Sequence, residues 1–108
     1  MSEPIEIFWK DCLVGTLVNS VPYMWYLEGE FVSSSSEIAE DFQKLAEKLD
    51  PKWVLKNWDN GIVIKLKASP TSSFFGVVHS LSESSLFLRR ITAKENIEWV
   101  SKRYSLGK

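Results

Sequence analysis

Cysteine and histidine are nearly absent from this sequence, and this scarcity restricts its chemistry. The 108 residues include one cysteine, Cys12, and one histidine, His79. The single cysteine excludes an internal disulfide and any zinc site with several cysteines, and a structural zinc site needs four Cys or His ligands. Asp59-Asn60-Gly61 lacks the further oxygen ligands of a calcium loop. We therefore expect neither a metal nor a cofactor.

A Cys12–His79 catalytic pair is the sharpest enzymatic hypothesis that remains. A thiolate nucleophile needs a base within hydrogen-bonding reach, and nothing local joins two residues that lie 67 positions apart. Glu28 and Glu30 share one face of a predicted strand, where two solvated charges are a simpler explanation than acid–base chemistry. We expect no catalytic residue and consider an enzyme unfavoured.

Long apolar runs and glycine motifs are missing as well. No stretch approaches the roughly 20 apolar residues of a membrane helix. The first ten residues, MSEPIEIFWK, have no basic segment ahead of their apolar residues, so they do not resemble a secretory signal. We expect no membrane association and a cytoplasmic location. The five glycines form no phosphate-binding fingerprint and no G-x-S-x-G elbow.

The residues that are present predict an ordinary globular protein with an uneven distribution of charge. Hydrophobic residues make up 44% and charged residues 25%, which favours one domain over residues 1–108. Residues 1–50 have a net charge of −7 and residues 51–108 a net charge of +6. Either the second half forms a basic face, or the two halves interleave and neutralise each other.

Periodicity predicts an α+β fold. Alternating patterns predict strands at 5–10, 13–18, 21–32, 53–57, 62–67, 74–80 and 86–91, with a hairpin loop from Trp58 to Gly61. Capping boxes at Ser34-x-x-Glu37 and Thr92-x-x-Glu95 predict two helices, the first ended by Pro51. The expected fold is a mainly antiparallel twisted sheet of six to seven strands, in the order β-β-β-α-β-β-β-β-α, with two helices on one face.

The stretch VPYMWYLEGEFV, residues 21–32, is predicted to be a single strand with two different faces. Tyr23, Trp25, Leu27 and Phe31 alternate toward the core. Met24 and Tyr26 share the other face with Glu28 and Glu30. Pro22 at the entry of the strand favours a position at the sheet edge, where a partner strand could pair.

The second sheet face is too apolar to lie in water, which indicates an interface. Three alternatives could cover this face: curling of the sheet, the last helix or another chain. The candidate interface residues are Phe8, Val14, Met24, Tyr26 and, at the predicted turn, Trp58.

A basic patch is the competing candidate site. Arg89, Arg90 and Lys94 lie in the half of the chain that also contributes several aromatic residues, a combination typical of single-strand nucleic-acid binding. The sequence favours a non-catalytic interaction or regulatory module that forms a homodimer or binds a protein partner. A nucleic-acid-binding module is the alternative, and a small-molecule-binding domain or small enzyme comes third.

Overall fold

The structure is a computed structural model that describes residues 4–57, 61–91 and 94–106, with the side chains of 94–96 and 105–106 outside the description. Its elements, in chain order, are β1 (Ile5–Trp9), β2 (Cys12–Tyr23), β3 (Tyr26–Ser33), α1 (Glu37–Glu47), α2 (Pro51–Lys56), β4 (Ile62–Ser69), β5 (Ser72–Ser82), β6 (Ser85–Ile91) and α3 (Lys94–Leu106).

The six strands form a closed antiparallel barrel in the order β1-β2-β3-β6-β5-β4. Strands β1–β3 make one three-stranded meander and β4–β6 a second, and the meanders join at the β1–β4 and β3–β6 ladders. The prediction of an open twisted sheet with two helices is therefore wrong, although the fold remains broadly α+β. The physical reason is closure: pairing both outer strands of each meander leaves no unpaired edge.

Closure also overturns the expected edge strand. β3 pairs with β2 on one side and with β6 on the other, and Pro22 lies within β2, opposite Leu27. The two halves of the chain form the two meanders and meet at the two junctions, and Glu6 lies opposite Lys67 in the β1–β4 ladder. The acidic and basic halves are therefore adjacent in the barrel rather than interleaved strand by strand.

The barrel interior is filled by alternate side chains from all six strands together with one face of α1. Its fully buried members include Ile7, Leu17, Ile64, Leu66, Val78, Leu86 and Leu88. Two strand glycines allow close packing: a Cβ on Gly15 would lie 2.3 Å from the Val32 carbonyl oxygen, and one on Gly76 would lie 2.9 Å from the Leu88 side chain. Each meander therefore has a glycine in its central strand, where a larger residue would collide with the neighbouring strand.

Helix α1 packs an apolar face of two alanines and one phenylalanine against this interior. Ala39, Phe42 and Ala46 are fully buried, and the Phe42 ring lies 5.8 Å from that of Trp9 and 5.5 Å from that of Phe31. The N-cap lies two residues later than predicted, because it is Ser36 whose hydroxyl accepts from the Ala39 amide at 3.2 Å. Ser34 instead contacts Ser36 and the Leu13 carbonyl.

Residues 51–56 form helix α2 rather than the predicted strand. Asp50 is its N-cap, with a carboxylate oxygen 3.0 Å from the Lys52 amide, and Pro51 occupies the first turn. An Asp-Pro pair is a helix start as readily as a stop, and this local signal outweighs the short alternation that follows it. The predicted hairpin is therefore absent, and its turn residue Trp58 lies outside the described residues.

Helix α3 packs on the outside of the barrel against the second meander. Val100 and Tyr104 form a second apolar cluster with Val54 of α2 and with Val63, Val77 and Ile91 of the strands. The predicted cap residue Thr92 lies outside the described residues. This helix covers the outer face of β4 and β5, which is one of the alternatives that the sequence left open. Among the described residues, the apolar cluster that it forms there does not include Met24 or Tyr26.

Candidate functional site

The stretch from Val21 to Val32 is two strands joined by a turn, so the prediction of a single strand is wrong. Tyr23 pairs with Tyr26 across a two-residue turn formed by Met24 and Trp25. Met24 has φ +54°, a left-handed conformation that usually selects Gly, Asn or Asp in such turns. None of these residue types occurs in Tyr-Met-Trp-Tyr, so the sequence carries no signal for the turn.

The turn reverses the predicted side-chain pattern before Tyr26 and preserves it afterwards. Leu27 and Phe31 are buried, as predicted. Tyr23 and Trp25, predicted to be core residues, are 71% and 49% exposed, and Met24 is 63% exposed. Nearby Val21 is 64% exposed. Large apolar side chains at such exposure, side by side on one hairpin, are unusual for a surface that meets only water.

Two arginines of β6 meet this hairpin. Arg89 lies opposite Tyr26 in the ladder, and its guanidinium carbon is 6.0 Å from the Trp25 ring centroid and 5.9 Å from that of Tyr26. The Arg90 amide donates to the Trp25 carbonyl at 2.6 Å, and its guanidinium donates to the Met24 carbonyl. The hairpin tip is thus tied to β6 by backbone and cation–π contacts. We define the hairpin-tip surface as Tyr23, Met24, Trp25, Tyr26 and Arg89.

A buried histidine supports the hairpin-tip surface from the next strand. His79 lies at the bulge of β5, between Val78 and Ser80, and is fully buried. Its ring lies 5.7 Å from that of Tyr26 and 5.6 Å from that of Phe87, both in edge-to-face geometry. Neither ring nitrogen has a hydrogen-bond partner in the described part of the chain. Burial lowers the pKa of His79, and the positive charge of Arg89 lowers it further, so the ring is neutral at neutral pH.

Acidic side chains adjoin the hairpin-tip surface on the other side. Glu28 lies between Val21 and Phe87 in the sheet, two pairs beyond the Tyr26–Arg89 pair. Glu28, Glu30 and Glu83 line a shallow surface concavity of about 310 Å³. The region therefore presents aromatic rings with a cation on one side and carboxylates on the other.

The structure brings together residues from both predicted sites. Met24 and Tyr26, predicted for an interface, contact Arg89 and Arg90, predicted for a basic patch. The side chain of Lys94, the third patch residue, lies outside the described part of the structure. The Arg90 guanidinium donates to the Met24 carbonyl, whereas Arg89 lies as a cation beside the aromatic rings.

The remaining interface candidates lie elsewhere. Val14 is fully buried in the barrel interior and cannot contact a partner, because the bulge between Ile7 and Phe8 changes the register of β1 and β2. Phe8 is half-buried and pairs with Leu13, at the opposite end of β2 from Tyr23. Trp58 lies outside the described residues. Of the predicted interface residues, Met24 and Tyr26 lie together, Val14 is buried, and Phe8 lies at a distance from the other two.

Neither the Cys12–His79 pair nor a metal-binding cluster forms among the described residues. Cys12 is exposed at the start of β2, whereas His79 contacts Tyr26, which pairs with the last residue of that strand. No group of three or more His, Cys, Asp or Glu side chains within the described ranges could hold a metal ion.

Comparison of the chain with protein-family models, with curated proteins and with solved structures finds no match in any of the three. Among the described helices, none has the length and apolar character needed to cross a membrane.

Proposed function

We propose that this protein is a non-catalytic interaction module and that the hairpin-tip surface is its contact surface for a protein partner. The composition supports this, since Tyr, Trp, Met and Arg are the residue types enriched in the cores of protein interfaces. Trp25 and Tyr26 are also held in place by Arg89 before any partner arrives, which reduces the entropy lost on binding.

One observation carries the proposal: the fold does not require an apolar turn at this position. The barrel has four two-residue hairpin turns, and the other three are Lys10-Asp11, Pro70-Thr71 and Glu83-Ser84. All three consist of residues that water solvates well or that favour turns. Met24-Trp25 alone places two large apolar side chains there, although the backbone at Met24 would suit glycine better.

The partner that the charges favour is a second copy of this chain. A twofold interface places each surface against itself, so a patch that carries both signs can complement itself. Arg89 and Glu28 lie two pairs apart in the β3–β6 ladder, separated by the Leu27–Leu88 pair. A twofold axis through the hairpin tip would bring the arginine of one copy toward the glutamate of the other.

A nucleic-acid-binding module is the second candidate, supported by the stacking of Arg89 on Trp25 and Tyr26. Its weakness is the charge around the rings. Glu28 lies two residues from Tyr26 along β3, and Glu30 and Glu83 line the concavity farther along that strand. On the other side, α3 packs on Val63 and Val77, between Arg89 and the lysines of β4. Phosphates that follow the surface in either direction would meet carboxylates or a helix. A cytoplasmic location also belongs to the proposal, since the exposed thiol of Cys12 suits a reducing compartment.

Sedimentation velocity over protein concentrations from about 1 µM to about 1 mM tests the proposal. We expect a monomer–dimer equilibrium. In the variant Tyr23→Ser/Met24→Glu/Trp25→Ser, which copies the polar character of the Glu83-Ser84 turn, the dissociation constant should rise by at least about 100-fold, because interface aromatics are typical hot spots.

The matched control replaces apolar side chains that are exposed elsewhere. Trp53→Ser/Leu55→Ser on α2 removes comparable apolar surface at 64% and 58% exposure and should leave the dissociation constant unchanged. A wild-type protein that is monomeric throughout would overturn self-association. Loss of dimer in both variants would mean general hydrophobic adhesion, and salt-sensitive binding of a single-stranded oligonucleotide abolished by Arg89→Ser would favour the second candidate.

A further inference from the structure

A second concavity lies on the outer face of the barrel, at the opposite end of β2 from the hairpin tip. Its volume is about 390 Å³, within the usual range of small-molecule sites. The lining residues come from β1, from the β1–β2 turn, from the β4–β5 hairpin and from α3, and they are Phe8, Asp11, Lys65, Lys67, Pro70, Ser73 and Tyr104.

Two lysines dominate the polar lining of this concavity. Lys65 and Lys67 alternate with buried Leu66 on β4, so both project outward on the same face. Lys65 lies opposite Phe8 of β1, and Lys67 lies opposite Ser73 of β5. Both lysines are half-buried, and within the described ranges neither amino group makes an ion pair. Glu6 faces Lys67 across the β1–β4 ladder but does not line the concavity.

The acidic residue in the lining is occupied by a neighbour. The Asp11 amide donates to the Tyr104 hydroxyl at 2.8 Å, and the Asp11 carboxylate accepts from the same hydroxyl. Burial raises the pKa of Tyr104 to about 12, and its contacts with the Asp11 side chain add to the rise. Tyr104 is therefore uncharged at physiological pH, and Asp11 is in contact with its hydroxyl.

A neighbouring concavity extends the positive charge. It has a volume of about 290 Å³, shares Tyr104 with the first, and is lined by Trp9, Lys10 and Arg103 among others. Lys10 lies over the Trp9 ring at 4.4 Å and Arg103 over the Trp99 ring at 5.8 Å. Four cations thus surround one buried tyrosine.

We propose that the 390 Å³ concavity binds a small organic anion, an oxyanion group carried on an apolar or aromatic body. Lys65 and Lys67 receive the oxyanion, the Ser73 hydroxyl donates to it, and Phe8 and Pro70 contact the apolar body. Paired ammonium groups on a rigid strand form charge-assisted hydrogen bonds to phosphate or carboxylate oxygens without rearrangement. This site is independent of the hairpin-tip surface and of the function proposed for it.

Titration of the ¹⁵N-labelled full chain with phenyl phosphate, followed by amide chemical shifts, tests the site. We expect saturable shifts that are largest at Phe8, Lys65, Lys67 and Ser73. Sodium benzoate and inorganic phosphate serve as further probes that separate the two oxyanions from the contribution of the ring. Phenyl phosphate should bind more tightly than inorganic phosphate, because only the former contacts Phe8.

Two variants and one control complete the experiment. Lys65→Gln/Lys67→Gln should weaken phenyl phosphate binding by at least about tenfold, since each charge-assisted hydrogen bond contributes about that factor. Ser73→Trp should block the concavity without changing its charge. Lys44→Gln/Lys48→Gln on and after α1 removes the same charge from exposed positions and should leave binding unchanged.

Three results would overturn the proposal. One is an absence of saturable shifts at phenyl phosphate concentrations up to about 10 mM, where even a weak site is populated. Another is equal weakening in the Lys44/Lys48 control, which would show attraction by net charge alone. The third is tighter binding of a single-stranded oligonucleotide that retains its affinity in Ser73→Trp, which would assign these cations to a polymer surface instead.

Discussion

The two meanders of the barrel end in hairpin turns of opposite character. Met24-Trp25 joins the second and third strands of the first meander, and Glu83-Ser84 does so in the second. Both turns have two residues, and both use positive φ, at Met24 in one and at Glu83 (+50°) and Ser84 (+69°) in the other. Both backbones reverse direction within two residues, but Glu83-Ser84 is polar, whereas Met24-Trp25 is apolar and aromatic. The contact surface that we propose accounts for this difference.

The surroundings of the two turns also differ: one turn has arginine and aromatic neighbours, and the other borders an acidic concavity. The Met24-Trp25 turn lies against Arg89 and Arg90, and behind it Tyr26 stacks on Phe87 at 5.1 Å with an interplanar angle of 17°. Glu83 and Ser84 line the shallow acidic concavity instead. The first hairpin therefore rests on a cluster of rings, Tyr26, His79 and Phe87, which we call the aromatic platform. The second hairpin is a polar surface turn. Substitutions in matched positions of the two halves test how far this contrast extends.

The largest effect on stability is expected at the central-strand glycines. In Gly15→Ala the new Cβ would lie 2.3 Å from the backbone oxygen of Val32, whereas in Gly76→Ala the nearest atom, at 2.9 Å, belongs to a leucine side chain that can move. We expect Gly15→Ala to lower the free energy of unfolding by roughly 3 kcal/mol and Gly76→Ala by about 1 kcal/mol. Urea denaturation monitored by tryptophan fluorescence measures both. Equal losses would show that the two meanders pack with equal tolerance.

The next largest effect is a pH dependence that belongs to the aromatic platform. Because the folded-state pKa of His79 is lowered from 6.5, the unfolded chain takes up a proton that the folded chain resists as pH falls below about 6.5. Stability should be fully present above that pH and decline below it. In His79→Phe, which fills the same space between Tyr26 and Phe87, this decline should be reduced. Thermal unfolding of both proteins at pH 7.5 and 5.5 provides the comparison, and an identical decline in the variant would exclude His79 as its source.

A smaller effect is expected from relieving the turn backbone. Met24→Gly removes a side chain from a left-handed position and should raise the free energy of unfolding by about 0.5–1 kcal/mol, if Met24 has no packing role. Glu83→Gly is the matched change in the other turn and should give a similar gain. Destabilisation by Met24→Gly alone, in thermal denaturation at a protein concentration where the chain is monomeric, would mean that the methionine belongs to the fold rather than to a contact surface.

Sequence patterns predicted several of these features because their causes are local. Leu27 and Phe31 were expected in the core from period-two alternation, and Phe42 from helical spacing, and all three are buried. Barrel closure was not predictable in the same way, because it depends on which distant strands pair at β1–β4 and β3–β6. The exposure of Tyr23 and Trp25 was not predictable, because the turn depends on a positive φ at Met24 and methionine is not a residue type that indicates such a turn. The meeting of Tyr26 with Arg89 follows from that long-range pairing and could not be read from either segment alone.

Site-specific photocrosslinking tests the contact surface most directly. A benzophenone amino acid is placed at Tyr23 in one protein and at Ser84, the matched turn, in another, and each purified chain is irradiated at the same concentration. The hairpin-tip account predicts a covalent dimer from position 23, with the crosslinked peptide mapping to the hairpin tip of the second copy, and none from position 84. Equal crosslinking from both turns, or none from position 23 at a concentration where the protein sediments as a dimer, would contradict it.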